Sequence, residues 1–360
     1  MYREQFTGGP EAEADVAASS DKVLIVVPCL NERAHIGELI AQLCADTAQL
    51  DRQNVVVDGG STDGTQSLLA EIAAREVVVT VIANPKKFQS AGVNLAVRAF
   101  GDGRRWLARI DAHASYPAGY VSTLIAEARR TNAASVVVAM RSHGTQGFQQ
   151  AVALVQNSAI GAGGAAHRRS GKARFVDHGH HALFDLKRFV EVGGYDENVS
   201  HNEDAEFDVR LVCAGGKIWL TRAVDVTYFP RSSVKALFRQ YRNYGRGRAA
   251  TILRHRKLPK LRQVLPAGVV PAWAALLFLP WIAIACAPLL CWSALCLLYG
   301  AKLGMRFGPR AAIFAGLAAM TIHLGWSIGF WLELLTGSRR ARDDDGGRFA
   351  AVLNAGDAAS

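Results

Sequence analysis

Carboxylates close several apolar runs in this chain, each where it could meet a ligand. Val55 to Val57 ends in Asp58, which opens the stretch Asp58-Gly59-Gly60-Ser61-Thr62-Asp63-Gly64-Thr65. An acidic residue at the carboxyl end of a buried strand faces the ligand crevice and can accept a hydrogen bond from a nucleobase or ribose. The competing reading is an Asx-type turn, with Ser61, Thr62 or Asp63 near the N-cap of the next helix. Trp106 to Ile110 runs into Asp111-Ala112-His113. Strand alternation would point Asp111 and His113 to one side, where a carboxylate and an imidazole can share a divalent cation bridging two phosphates. A surface turn before Tyr116-Pro117 is the alternative. Later come His178-Gly179-His180-His181, Gly193-Gly194-Tyr195-Asp196 and His201-Asn202-Glu203-Asp204. Glu203 and Asp204 at the start of a helix would ordinarily serve its dipole, but histidines and carboxylates gathered on glycine-flanked loops also suit a general base.

These residues need a scaffold, and the periodicity supplies one. Val23 to Val27 is an unbroken apolar run closed by Pro28, followed by Asn31 and Glu32. Ala34 to Leu50 then carries Ile36, Leu39, Ile40 and Leu43 at helical spacing, ahead of the strand at Val55. Buried parallel strands read as continuous apolar runs in this way. Helix and strand alternate onward through Thr65–Ala74, Val77–Ile82, Ala91–Phe100, Trp106–Ile110, Tyr120–Thr131 and Ser135–Ala139, with a last helix over Ala205–Cys213. The expectation is a doubly wound α/β domain to about residue 230, with ligands beyond the carboxyl ends of its strands. A dinucleotide fold is excluded, because no G-x-G-x-x-G follows the first strand. Gly161, Gly163 and Ala166 match it loosely but follow a helical pattern. No Walker A sequence is present.

Composition adds a second region. The 360 residues carry 41 Lys and Arg against 31 Asp and Glu, yet the mean hydropathy is +0.10. Gln263 to Ala301 holds no charged residue, which accommodates two short membrane spans turning near Pro280 and Pro288, since one span needs about 20 apolar residues. Ala311 to Thr336 is long enough for one more. Arg231 to Arg262 is rich in Lys and Arg and free of acidic residues. Ahead of an apolar block, such a run points to anionic headgroups rather than nucleic acid. Val234, Leu237, Phe238, Tyr241 and Tyr244 recur there at helical spacing, the pattern of an amphipathic helix lying in the interface. Residues 1–21 are expected to be a disordered leader, too acidic for a secretory signal. The six cysteines form no C-x-x-C pair, which argues against a disulfide framework or zinc site.

Taken in order, the stretches Val27-Pro28-Cys29-Leu30-Asn31-Glu32, Asp58 to Thr65, Asp111-Ala112-His113, Gly193-Gly194-Tyr195-Asp196-Glu197 and Asn202-Glu203-Asp204 resemble glycosyltransferase family 2. These are enzymes of the GT-A (nucleotide-diphospho-sugar transferase, Rossmann-like) fold. With its basic helix and apolar tail, the chain is similar to bacterial exopolysaccharide transferases of the succinoglycan glucosyltransferase type. The resemblance implies a GT-A domain over 22–230, a basic interface segment over 231–262, a transmembrane region of two to three helices over 263–336 and a polar tail over 337–360. It places Pro28, Asn31, Glu32 and Asp63 in the nucleotide pocket, with Asp58 at the uracil. Asp111 takes the place of the metal-binding Asp of D-x-D, with His113 for the second Asp, and the ion would be Mg or Mn. Asp204 matches the catalytic Asp of the E-D motif and Glu203 its neighbour, while Arg246 or Arg248 would help neutralise the departing diphosphate.

The implied activity is inverting transfer of one sugar, glucose from a UDP-sugar, to a glycan on a polyprenyl diphosphate. The catalytic domain would lie on the cytoplasmic face of the inner membrane, possible company being other polysaccharide-assembly proteins. Gln240-Tyr241-Arg242-Asn243-Tyr244 departs from the Q-x-x-R-W of processive members, which favours single addition. The rival readings are a processive synthase, a polyprenyl-phosphate transferase and a non-catalytic scaffold of an export complex.

Overall fold

The computed structural model describes residues 22–163, 172–180, 183–198, 201–256, 259, 261–278 and 283–356. The leader at 1–21, His181, Ala166 and Pro280 lie outside them. By packing the chain divides into two units that do not follow chain order. The first comprises Met1–Met140, Lys172–Asn198 and Phe207–Thr227, and the second Arg141–Gly171, Val199–Glu206 and Tyr228–Ser360.

The first unit begins with β1 (Val23–Cys29), all of whose residues are buried, and α1 (Ile36–Asp46), which buries Ile36, Leu39, Ile40 and Leu43. Each such aliphatic side chain contributes about 1.5–3 kcal/mol on leaving water. Then come β2 (Arg52–Asp58), α2 (Thr65–Arg75), β3 (Val79–Ala83), α3 (Gln89–Phe100) and β4 (Trp106–Arg109). The strands β3, β2, β1 and β4 are neighbours in that order and all parallel. Their carboxyl ends therefore share one edge.

Beyond β4 the sheet changes character. The remaining strands are β5 (Ala114–Ser115), β6 (Ser135–Ser142), β7 (Arg174–Val176), β8 (Leu183–Asp185) and β9 (Ile218–Tyr228), and α4 (Tyr120–Thr131) lies among them in sequence. Strand β8 runs antiparallel to both β4 and β6. The sheet is thus parallel on one side and mixed on the other, rather than doubly wound throughout. Short α7 (Leu186–Glu191) and the later part of α8 (Glu203–Cys213) add Phe189 and Phe207 to a buried aromatic group with Phe184 and Tyr195.

The second unit is helical: α5 (Gly147–Gln156), α6 (Ala159–Ala162), α9 (Val234–His255), α10 (Leu261–Ala267), α11 (Val269–Phe278), α12 (Ala283–Gly304) and α13 (Pro309–Gly356). Two helical segments, Cys286–Phe307 and Pro309–Gly337, are long and apolar enough to cross a membrane, whereas Gln263–Leu276 is shorter. Pro288 lies inside α12 and not at a hairpin turn, so the expectation fails at Pro288, while its other half, Pro280, lies outside the described residues. The chain turns instead at Met305–Gly308, where Gly308 has a φ of +100°. Ala151, Val152 and Val155 of α5 pack with Ala315, Ala318, Ala319 and Ile322 of α13, and Leu237 of α9 joins them with Tyr241 against the same cluster. The stripe on α9 is thus covered by protein at Leu237 and Tyr241. It looked like a lipid-facing stripe because periodicity records an apolar face without recording what covers it.

Candidate active site

Within the first unit, the loops after β1 and β2 are tied to each other. The backbone N–H of Asn31 donates to Ser61 Oγ at 2.8 Å, and Asn31 Oδ1 accepts from the Thr62 N–H at 2.8 Å. The Glu32 N–H donates to Thr65 Oγ1 (3.0 Å) and the Arg33 N–H to Asp63 Oδ2 (3.1 Å). Asn31 has a φ of +58°, a left-handed conformation that asparagine tolerates better than most residues. Pro28 is buried within β1.

Asp58 is committed to its own loop. Its carboxylate accepts from the N–H groups of Gly60 and Ser61, from the Ser61 hydroxyl and, at 2.8 Å, from Gln66 Nε2. Burial pushes this carboxyl up, and those hydrogen bonds outweigh it and hold the group below its ordinary value. The turn reading therefore describes its present contacts, and a uracil would have to displace a donor such as Gln66. Beside it, burial and the Asp58 carboxylate push the Cys29 thiol up to about 12, so Cys29 is an inert thiol at neutral pH. Asp63 likewise caps its loop, accepting from Thr65 N and Oγ1.

Asp111 is placed by a turn. Strand β4 stops at Arg109, so strand alternation does not govern Asp111 and His113. Tyr116 holds this turn, since its hydroxyl accepts from the Asp111 N–H at 2.7 Å and donates to the Asp111 carbonyl at 3.3 Å. Arg109, 3% exposed, sets Nη2 3.4 Å from Asp111 Oδ1 and donates to Gln89 Oε1 at 2.9 Å. His113 Nδ1 lies 3.2 Å from Glu32 Oε1. It is His180 that reaches Asp111, with Nε2 3.8 Å from Oδ2. The loop presenting His180 is clamped by Asp208, whose Oδ2 accepts from His178 Nδ1 at 2.7 Å and the Gly179 N–H at 3.2 Å. Gly179 has no room for a Cβ, which would strike Val137. The Asp-x-His spacing drew attention to His113. His180 was visible only as one of a histidine cluster, and Tyr116, Arg109 and Asp208 carried no signal of their own.

The Gly193-Gly194-Tyr195 stretch is structural. Both glycines have positive φ, +85° and +66°, and Asn94 exchanges hydrogen bonds with Tyr195 N (2.9 Å) and Tyr195 O (2.7 Å). Glu197 is bound by Lys86, Arg98 and Asn94. Despite a burial contribution upward, these donors bring its carboxyl down to about 2.

Glu203 and Asp204 open α8 within the second unit, Glu203 buried at 7% exposure and Asp204 half-buried. Arg246, expected at the diphosphate, has its Nε 3.0 Å from Glu333 Oε2 in α13. Arg248 lies two residues on in α9, half-buried.

The donor set at Asp111 fits a divalent ion in one respect. Two ligands bound at about 2.1 Å reach a common ion when no more than about 4.2 Å apart, and Asp111 Oδ2 and His180 Nε2 satisfy that limit. No group of three or more His, Cys, Asp or Glu is gathered for a metal among the described residues. Further oxygens would have to come from the ligand, as is usual for Mg held by one or two carboxylates and substrate phosphates.

A parallel half-sheet with polar loops at its carboxyl edge, continued by an antiparallel partner at β4, is the arrangement of the GT-A fold. Residues 24–191 match the family described as Glycosyl transferase family 2. The chain is 48% identical over 328 residues to the succinoglycan biosynthesis protein ExoA of Rhizobium meliloti (strain 1021), covering 89% of this chain and 98% of that protein. Among solved structures, the mannosyltransferase PcManGT of Pyrobaculum calidifontis, in complex with GDP-Man and Mn2+, superposes with a TM-score of 0.55 at 18% identity, over 83% of this chain and 86% of that one. This chain belongs to glycosyl transferase family 2.

Proposed function

We propose that the protein moves one sugar, with inversion, from a nucleotide-diphosphate donor to a lipid-linked glycan during exopolysaccharide assembly. The identity to a succinoglycan biosynthesis protein over nearly its full length is the observation that carries this reading. The donor proposed is UDP-glucose and the acceptor a glycan on polyprenyl diphosphate. Cys286–Phe307, only 17% of whose apolar window is buried, exposes Leu290, Leu295 and Leu298. An outward apolar face of this kind suits a bilayer, and the proposed location is the cytoplasmic face of the inner membrane.

In this reading Asp204 accepts the proton of the acceptor hydroxyl as that oxygen attacks the anomeric carbon, and Glu203 lies beside it. Asp111, with His180 near one oxygen and Arg109 near the other, supplies the negative charge that would hold Mg or Mn, with His113 a further candidate. When bound, the ion would offset the charge developing on the departing diphosphate. Pro28 in β1, Asp58 at the end of β2 and the loops carrying Asn31, Glu32 and Asp63 would enclose the nucleoside, and Arg248 adds positive charge, as would Arg246 if released from Glu333. One displacement needs no covalent sugar–protein intermediate.

The test is to incubate membranes containing the full chain with a panel of labelled nucleotide sugars and extract the lipid product. One labelled sugar entering the lipid fraction supports the reading. A long polymer would favour the processive alternative, and no transfer from any donor would favour the scaffold.

A further inference from the structure

The segment bearing the proposed base is gripped by α9. Asn202 Nδ2 donates to the Tyr244 carbonyl at 2.7 Å, and Asn243 Nδ2 donates to His201 Nε2 at 3.0 Å. Asn202 takes a left-handed φ of +62°, and its carbonyl accepts from Ala205 and Glu206, starting α8. Four residues after Asn202, the Glu206 carboxylate, 1% exposed, meets His255 Nε2 at 3.0 Å, with Arg254 Nε at 3.9 Å. At Gly247 a Cβ would strike the His201 carbonyl, so this glycine permits the close approach. Asp204 lies between the two anchors, Asn202 and Glu206. Helix α9 is itself braced by α13: Gly325 meets Phe238, Gly329 meets the Arg242 carbonyl, and Arg246 binds Glu333.

We propose that Glu206 is a positioning residue for the transfer reaction, and that α9, through His255 and Gly247, sets where the Asp204 carboxylate stands. This rests on Asp204 being the base. A buried carboxylate in the first turn of a helix is held by whatever pairs with it, because an unpaired one is costly. His255 lies at the far end of α9, some three turns from Asn243, so α9 holds the start of α8 at two separate points. A shift of about 1 Å in a reacting group can cost about 100-fold in rate.

The test uses the purified full chain with its own acceptor. His255→Leu removes the nearer of the two groups that face Glu206, leaving Arg254 at 3.9 Å, and Gly247→Ala pushes against His201 without touching the Glu206–His255 pair. Both should lower kcat about 10- to 100-fold while donor KM and nucleoside diphosphate affinity stay within about 2-fold. His255→Gln, which can still donate a hydrogen bond to Glu206, should recover part of the rate lost in His255→Leu. Wild-type kcat in both variants, equal loss of donor binding and kcat, or no recovery with glutamine would each overturn the proposal. Asp204→Asn separates it from the reading beneath. If that variant is inactive while His255→Leu and Gly247→Ala turn over normally, only the positioning role fails, and if it is active, the base assignment fails.

Discussion

In the first unit, the loops that carry Asn31, Asp58 and Asp63 are fastened to one another by short polar contacts at the ends of neighbouring parallel strands. In the second, the segment carrying Asp204 is fastened to a helix that a further helix braces, through two asparagines, a histidine–carboxylate pair and glycines at the close approaches. The first arrangement joins two loops on neighbouring strands, Asn31 and Ser61 being 30 residues apart. The second draws on three stretches of chain far apart in sequence, so a change near the C-terminus can reach a residue at 204. Cutting the chain near Pro230, which the linear domain limits invite, would strip 141–163 and 201–206 of the helices they pack with.

The largest expected effect within the first unit is at Asp111. Asp111→Asn keeps an oxygen facing Arg109 but removes the charge, so turnover should fall about 100-fold or more. Mg or Mn should then cease to tighten nucleotide binding, as read by titration calorimetry. Cation-dependent binding equal to wild type would remove Asp111 from the metal reading.

A smaller effect is expected at the loop that presents His180. Gly179→Ala forces a Cβ against Val137 and should reduce cation affinity about 10-fold while leaving cation-free nucleotide binding unchanged. An unaltered cation affinity would show that His180 contributes nothing there.

The smallest effect sharpens the contrast between the units. Burial, with Arg246 nearby, holds His201 below its ordinary value of 6.5. The unfolded state therefore binds more protons in that window, and the contribution of His201 to stability is complete above 6.5 and lost as pH falls through the folded value. Glu197 has the same sign in a lower window: its contribution is complete above 4.5 and lost only as pH falls toward about 2. Between about pH 7 and about pH 5, amide exchange, corrected for the intrinsic pH dependence, should quicken at 201–206 and hold steady at 195–198. Equal change at both would contradict the assignment of separate fastenings.

Much of the first unit was legible because its signals are local. Val23 to Val27 and Val55 to Val57 are unbroken apolar runs since both faces of a parallel strand are buried, and Ile36, Leu39, Ile40 and Leu43 mark the inward face of α1. The antiparallel half was not, because β8 spans three residues, Leu183–Asp185, too few to set a period. The spacing to His113 is what singled out Asp111, yet the imidazole the fold brings to it is His180, across 69 residues of chain. The stripe on α9 was read correctly as apolar, but at Leu237 and Tyr241 it is covered by protein, because Ala315, Ala318 and Ile322 that meet it there belong to another segment. The Glu206–His255 pair left no trace, since neither residue type nor interval distinguishes it from surface charge.

The most direct test of the account compares donor binding with turnover in Asp204→Asn. The carboxylate should act on the acceptor proton alone, so nucleoside diphosphate affinity with Mg or Mn should match wild type while transfer falls about 100-fold or more. Transfer at near the wild-type rate, or a matching loss of nucleotide affinity, would contradict it.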